Sequence, residues 1–283
     1  MKQKIGIVVC GNSGIDYLDI DFPIEVIRAT LVIDKKEYED FVDITAEKFY
    51  DIVVKNPNID LSTSQTSTGR IADVYEKLKN EGYTDVIVVT VSSKLSGTFQ
   101  GAVLAKELVE GINIYPIDSR SVSQGEVYLV LEAIKMIKEG KEVKTIIDKL
   151  EKMRDNISVY VLVDTLKYLV KNGRLSATSG FLGTLLKIKP LLKIQKDGSL
   201  VPHEKIRTTK KARERLIEII KDEIKGKNIG LFIVHTNNRD EALSLKEDFL
   251  KLNSKLEIDV VPLTPVVGVH AGPGTLAVGY IIR

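Results

Sequence analysis

One phrase recurs along this chain: a short apolar strand, a turn crowded with Ser and Thr, then a helix. Its clearest copy runs Asp85-Val86-Ile87-Val88-Val89-Thr90-Val91, then Ser92-Ser93-Lys94-Leu95-Ser96-Gly97-Thr98, then a helix over residues 99–110. Two further turns share the texture: Ser62-Thr63-Ser64-Gln65-Thr66-Ser67-Thr68-Gly69 and Asp118-Ser119-Arg120-Ser121-Val122-Ser123-Gln124-Gly125. Strands alternating with helices of this length build right-handed βαβ units. In an open parallel sheet the turns after strand C-termini gather along one edge, where ligands bind. Helix N-termini there present unpaired N–H groups and partial positive charge, and hydroxyls add uncharged donors. Such an edge suits a carboxylate or phosphate oxygen better than a cation.

The rest of the pattern frames these turns. Ile5–Cys10 reads as a buried strand closed by Gly11-Asn12-Ser13-Gly14, and residues 24–33 as one extended stretch interrupted by Arg28. Thr45 caps a helix, and residues 113–117 form a strand. Helices follow to about Lys138, closed by Gly140, and over 143–153. Near Arg154-Asp155-Asn156 the texture changes. Beyond it come a strand at 158–163, a short helix at 165–170 and an apolar helix through 180–186 capped by Ser176. A hairpin around Lys196-Asp197-Gly198, a charged helix at 210–225, strands at 229–234 and 257–263, a helix at 240–252 and a last strand at 276–282 complete the chain. The expected fold class is α/β: an N-terminal parallel-sheet βαβ domain over residues 1–155, carrying the Ser/Thr turns, plus a C-terminal α/β domain over 156–283.

Composition excludes several classes. The 41 basic and 39 acidic residues leave a formal charge of +2, so there is no global nucleic-acid signature. Cys10 is the single cysteine, which rules out an intrachain disulfide and a thiolate metal cluster. His203, His235 and His270 are scattered without metal-ligand spacing. The apolar run at 5–9 is far too short to cross a membrane. The expectation is a cytoplasmic protein with no stable membrane insertion.

Candidate chemistry starts with the hydroxyls. Any one of them serves equally well as a helix cap. Capping does not account for so many in one turn, nor for three such turns, so convergence on an anionic ligand is favoured. Gly268-Val269-His270-Ala271-Gly272-Pro273-Gly274-Thr275 is either an ordinary turn into the last strand or a loop whose His270 touches ligand. Residues 181–192 are apolar with small gaps at Gly180, Gly183 and Thr184: core, or the wall of a narrow apolar tunnel. Lys205, Arg207, Lys210, Lys211, Arg213 and Arg215 include no acid before Glu214, so unpaired positive potential is expected. That run is a solvated face, a dock for an acidic partner or a phosphate contact. Ser96, His270 and Asp118 do not sit in a Gly-x-Ser-x-Gly elbow, which argues against hydrolase chemistry.

Taken together and in order, several motifs resemble the DegV family, bacterial fatty-acid-binding proteins. They are Thr63-Ser64-Gln65-Thr66-Ser67, Ser92-Ser93-Lys94-Leu95-Ser96-Gly97-Thr98, Asp118-Ser119-Arg120, Asn172-Gly173-Arg174-Leu175-Ser176, Lys187-Ile188-Lys189-Pro190-Leu191-Leu192, Lys205-Ile206-Arg207-Thr208 and His270-Ala271-Gly272-Pro273-Gly274. The resemblance implies two α/β domains with one long-chain fatty acid at their junction and no cofactor. Its carboxylate would meet Thr63 and Ser96, with Ser64, Ser93 and His270 close by. The resemblance further implies a carrier without catalysis of its own, which presents the acid to a separate fatty acid kinase that feeds phospholipid synthesis. Arg207 falls where the family docks that kinase. The first loop, Gly11-Asn12-Ser13-Gly14-Ile15-Asp16, departs from the family's Asp-Ser-Thr-Ala-Asp-like turn. Ala29-Thr30 replaces a Pro-Leu pair, and Thr66 replaces a Pro. The competing readings are an enzyme acting on a small phosphorylated or carboxylated metabolite and, less favoured, a DNA-binding regulator.

Overall fold

A computed structural model of the chain describes residues 3–175 and 189–283. Every residue of β1 (Ile5–Cys10) is buried, as in a strand covered on both faces. It pairs in parallel with β2 (Ile24–Ile27) and with β6 (Asp85–Thr90), and β6 pairs in parallel with β7 (Asn113–Asp118). The strand order is β2-β1-β6-β7. Alternate side chains go to opposite layers. Val8, Val86 and Val88 pack under α2 (Thr68–Asn80) and α3 (Thr98–Lys106), while Ile7, Val9, Ile87 and Val89 pack under α4 (Gln124–Lys138) and α5 (Val143–Arg154).

Residues 24–33 are two strands in two sheets, not one stretch. Arg28 is the reason. Its guanidinium makes a bidentate pair with Asp16 and also donates to the Asp40 carbonyl (3.3 Å). The chain turns around that anchor. β3 (Thr30–Ile33) then pairs antiparallel with β4 (Lys36–Glu39) and β5 (Leu61–Ser64) in a separate sheet. Ser62–Ser64 therefore belong to a strand, and the first hydroxyl turn shrinks to the residues just before α2. Ser67 caps α2 by accepting from the Arg70 N–H, and Thr66 donates to the Arg28 carbonyl (2.7 Å). Between β4 and β5 lies α1 (Ala46–Lys55), capped by Thr45 as its sequence indicates.

The second sheet holds β8 (Ile157–Leu162), β9 (Lys189–Ile194), β10 (Leu200–Ile206), β11 (Ile229–His235), β12 (Ile258–Pro262) and β13 (Leu276–Ile282). Its order is β10-β9-β8-β13-β11-β12, antiparallel except for the β11–β12 pair. One face, with Tyr160, Leu191, Leu231, Ile233 and Val278, is covered by α7 (Thr209–Ile224) and α8 (Arg239–Leu252). The other face, with Val159, Leu192, Ile194, Phe232, Val234 and Ala277, looks away from those helices. At the seam between the two large sheets sit α6 (Lys167–Lys171) and α9 (Pro265–Ala271). Val266 and Val269 of α9 pack on Leu31, Phe49 and Leu61 of the three-stranded layer.

The four parallel strands fall within residues 5–118 and the six-stranded sheet within 157–282. The apolar helix expected at 180–186, its cap Ser176 and the tunnel residue Gly183 lie outside the described residues. Among the described residues no helix is long and apolar enough to cross a membrane.

Candidate ligand-binding site

The loops after β1, β6 and β7 open at one edge of the parallel sheet and meet the face of the second sheet that α7 and α8 leave bare. Between them lies a cavity of about 160 Å³. Its apolar wall comes mostly from the second sheet, through Val159, Val161, Ile194, Leu200, Phe232 and Val234. Its polar lining includes Asn12, Thr63, Ser64, Gln65, Ser96, Thr98, Ser123 and His270.

Thr63, half-buried near the end of β5, sits opposite Leu31 in the ladder. Its Oγ1 lies 2.9 Å from Nε2 of His270. His270 was expected in a glycine loop. Instead residues 265–271 form α9, with Pro265 at its start and His270 in its last turn. The glycines end the helix. Gly272 has φ 75°, and a Cβ there would fall 2.3 Å from Cδ2 of Tyr168, so only glycine fits. Burial, helped by the positive charge of Arg174, pushes the His270 pKa down to about 4, so the ring is neutral at pH 7. Its Nδ1 is buried without a hydrogen-bond partner among the described residues.

Ser96 lies just before α3, its Oγ 2.9 Å from Thr98 Oγ1 and accepting from the Thr98 N–H (3.3 Å). Ser64 lines the cavity from an exposed position. Ser93 is not part of the wall. It is exposed and donates to Asp118 Oδ2 (2.6 Å), while its N–H donates to Asp118 Oδ1. Asp118 is thus committed to Ser93 and the Arg120 N–H, His270 to Thr63, and Ser96 to Thr98, so no Ser–His–Asp relay is assembled. No cluster of potential metal ligands occurs among the described residues.

Four residues in and behind the site escaped sequence reasoning. The Gln65 side chain lies against Gly97, where a Cβ would come within 2.3 Å of its Oε1, so the first two turns touch. Asn12 donates to Glu126 Oε1 (2.6 Å), which also accepts the Ser123 N–H (3.0 Å). The signal for that pair was present as Ser123 followed three residues later by Glu126. Burial holds the Glu126 pKa well above the carboxylate range. Ser92 is fully buried outside the cavity and bonds across the seam to Gly198.

Arg207 is exposed just after β10, an edge strand, and makes no ion pair among the described residues. The expected unpaired potential is corrected for part of the basic run. Arg213 bonds Glu241 and Asp248, and Arg215 bonds Glu204 and Glu218. The acids missing from the run's own sequence arrive from other elements. Lys210 and Lys211 remain exposed beside Arg207.

A parallel sheet facing a mixed sheet across a largely apolar cavity with a polar edge, with a small third sheet beside them, defines a mixed α/β protein. The chain belongs to the DegV family: the family model, described as an uncharacterised protein of that family, matches residues 4–283. A DegV domain-containing protein of Clostridium acetobutylicum is 39% identical over 278 residues, 98% of each chain. Among solved structures, the fatty acid binding DegV family protein from Streptococcus agalactiae superposes with a TM-score of 0.91 at 28% identity, covering 99% of both chains. DegV, a fatty acid binding protein from Bacillus subtilis, gives 0.89 at 30% identity over 99% of this chain and 100% of that one.

Proposed function

We propose that this protein binds a long-chain fatty acid between two domains, residues 1–155 and 156–283, and presents its carboxylate to a fatty acid kinase. The observation that carries this reading is the Thr63–His270 contact on the wall of an otherwise largely apolar cavity. Thr63, Ser96 and Ser64 hold the carboxylate as neutral donors, with His270 behind Thr63. For the Thr63 hydroxyl to donate to the ligand, His270 must carry its proton on Nε2 and donate to Thr63 Oγ1. A neutral ring can do so, and the low pKa of His270 keeps it neutral. Ser93, bound to Asp118, braces the turn instead.

The tail supplies affinity. About fifteen carbons at roughly 0.8 kcal/mol per buried CH₂ give a gross transfer of about 12 kcal/mol before ordering and association costs. The hydroxyls decide which end faces the polar edge, since burying them without an acceptor is costly. A carboxylate held by neutral donors keeps its charge and so its nucleophilicity. On the kinase it attacks the terminal phosphorus of ATP, forming acyl phosphate and releasing ADP. This chain supplies no catalytic group and needs no cofactor. Arg207 serves the docking of the kinase, and ATP as co-substrate assigns the work to the cytoplasm. The similar structures named as fatty acid binding proteins support the ligand class.

Native mass spectrometry of gently purified protein tests the reading. The expected result is a co-purified long-chain acid whose occupancy drops sharply in the Thr63→Ala, Ser96→Ala double variant. A protein that carries none and takes up none from added oleate overturns it.

A further inference from the structure

We infer that Ser92 is a positioning residue: through its hydrogen bond to the β9–β10 turn it sets the place of Ser96. This rests on the carboxylate role of Ser96 proposed above. Ser92 touches no part of the cavity, yet it is fully buried and saturated. Its hydroxyl donates to the Gly198 carbonyl (2.8 Å), from a residue more than a hundred positions away, and accepts from the Lys94 N–H (3.1 Å). Its N–H donates to the Ser121 carbonyl (2.8 Å), and its own carbonyl accepts from the N–H groups of Leu95 (2.9 Å) and Ser96 (3.1 Å). The third hydroxyl turn, the Ser96 turn and the second sheet are thus tied at one residue, the first two through its backbone and the second sheet through its side chain.

The far end of the tie is rigid. Asp197 Oδ1 accepts from both the N–H and the hydroxyl of Ser199, and Gln195 and Ser199 close the turn through the backbone. Gly198 has φ 87°, and a Cβ there would lie 2.1 Å from Ser92 Oγ and 3.0 Å from the Arg120 Cα. The same hairpin supplies Ile194 and Leu200 to the cavity wall. One element therefore holds both the tail wall and the head-group serine in register, and Gly198 is the only residue type that lets it approach.

The test uses the full chain, with oleate as the probe, in a double-mutant cycle. Ser92→Ala is expected to weaken oleate binding about fivefold to tenfold, the range for losing one buried hydrogen bond, and to add nothing in a Ser96→Ala background. Equal loss in both backgrounds means general loosening and overturns the inference. Amide hydrogen exchange of Leu95 and Ser96, read without ligand, is expected to speed up in the Ser92 variant. Unchanged exchange also overturns it. Ser92→Cys keeps the volume while weakening the donor, and Gly198→Ala breaks the tie from the other side, so a poorly folded Ser92→Ala does not block the test. Failure of the wild type to bind oleate sinks the fatty-acid reading alone, because the exchange measurement still decides the tie.

Discussion

Two ionisable side chains at the seam, one buried and one half-buried, pull stability in opposite directions. His270 titrates near 4 in the folded chain because of its burial and of Arg174, so between pH 4 and 6.5 the unfolded state holds more protons. Stability then rises with pH. Asp40 is fully buried, with Oδ1 accepting from the Val266 N–H at the start of α9 (3.3 Å), and burial raises its pKa to about 7. Between about 4 and 7 the folded state holds the extra proton, so this contribution falls as pH rises. Each slope approaches about 1.4 kcal/mol per pH unit. Urea unfolding of Asp40→Asn across pH 4.5–6.5 is expected to show stability climbing more steeply than in the wild type, by up to about that slope. Parallel curves would mean that Asp40 ionises as an ordinary carboxylate. On the surface, Arg207→Ala is expected to leave oleate affinity within about twofold, as exposed substitutions do, and to lower kinase-dependent acyl phosphate formation increasingly at low salt. Loss of binding in that variant would return Arg207 to the pocket. The hydroxyls were legible in the sequence because Ser and Thr cluster visibly. Their partners were not. That Ser93 serves Asp118, and that Glu241 and Asp248 neutralise Arg213, depends on residues brought together only by folding.

Elements were legible to the degree that local pattern determined them. The strand–turn–helix copies at β6–α3 and β7–α4 emerge within a few residues of their expected bounds, because short apolar runs and end signals are local. The α9 helix was not. Seven residues with a glycine inside and another at the end make a helix too short to form alone, and it persists by packing against α1, β3 and β5. Gly268 shows how tightly: a Cβ there would meet Tyr50 Oη at 2.5 Å and Phe49 Cε1 at 2.8 Å. Gly268→Ala is expected to cost about 1–3 kcal/mol from overpacking. It should weaken oleate binding as well, since His270 rides on the same helix. Thermal melts and titration calorimetry on one sample check both, and a stable variant with intact affinity would show that α9 can shift freely. The antiparallel pairing of β13 between β8 and β11 likewise had no local signature, because β8 lies more than a hundred residues earlier and β11 about forty to fifty, and register over such separations is a tertiary choice.

For the molecule as a whole, a ligand that bridges both sheets binds only the folded state. Saturation with oleate at about 100 times its dissociation constant is expected to add about 2.7 kcal/mol to stability, visible as an upward shift in melting temperature. No shift at saturating oleate would mean that the folded state does not bind it in preference to the unfolded chain. Phe232 lines the cavity and packs its ring tip against Gly279. Phe232→Leu is expected to improve binding of bulkier or longer acids relative to palmitate, and an unchanged ranking across acids would put the tail elsewhere.

The inner face of the six-stranded sheet also bears on timing. Were the two sheets to swing apart to admit a ligand, side chains such as Val159, Ile194, Leu200, Phe232, Val234 and Ala277 would meet water. At roughly 1.5–3 kcal/mol for each large apolar side chain, that excursion costs on the order of 10 kcal/mol, comparable with the whole stability of a domain. Excursions of that size are too rare to serve as a route of exchange. An acid of the proposed class would instead enter lengthwise past Ser64 and Gln65, the exposed residues of the cavity lining. Its residence time would then depend on the width of that passage rather than on the strength of the walls behind it.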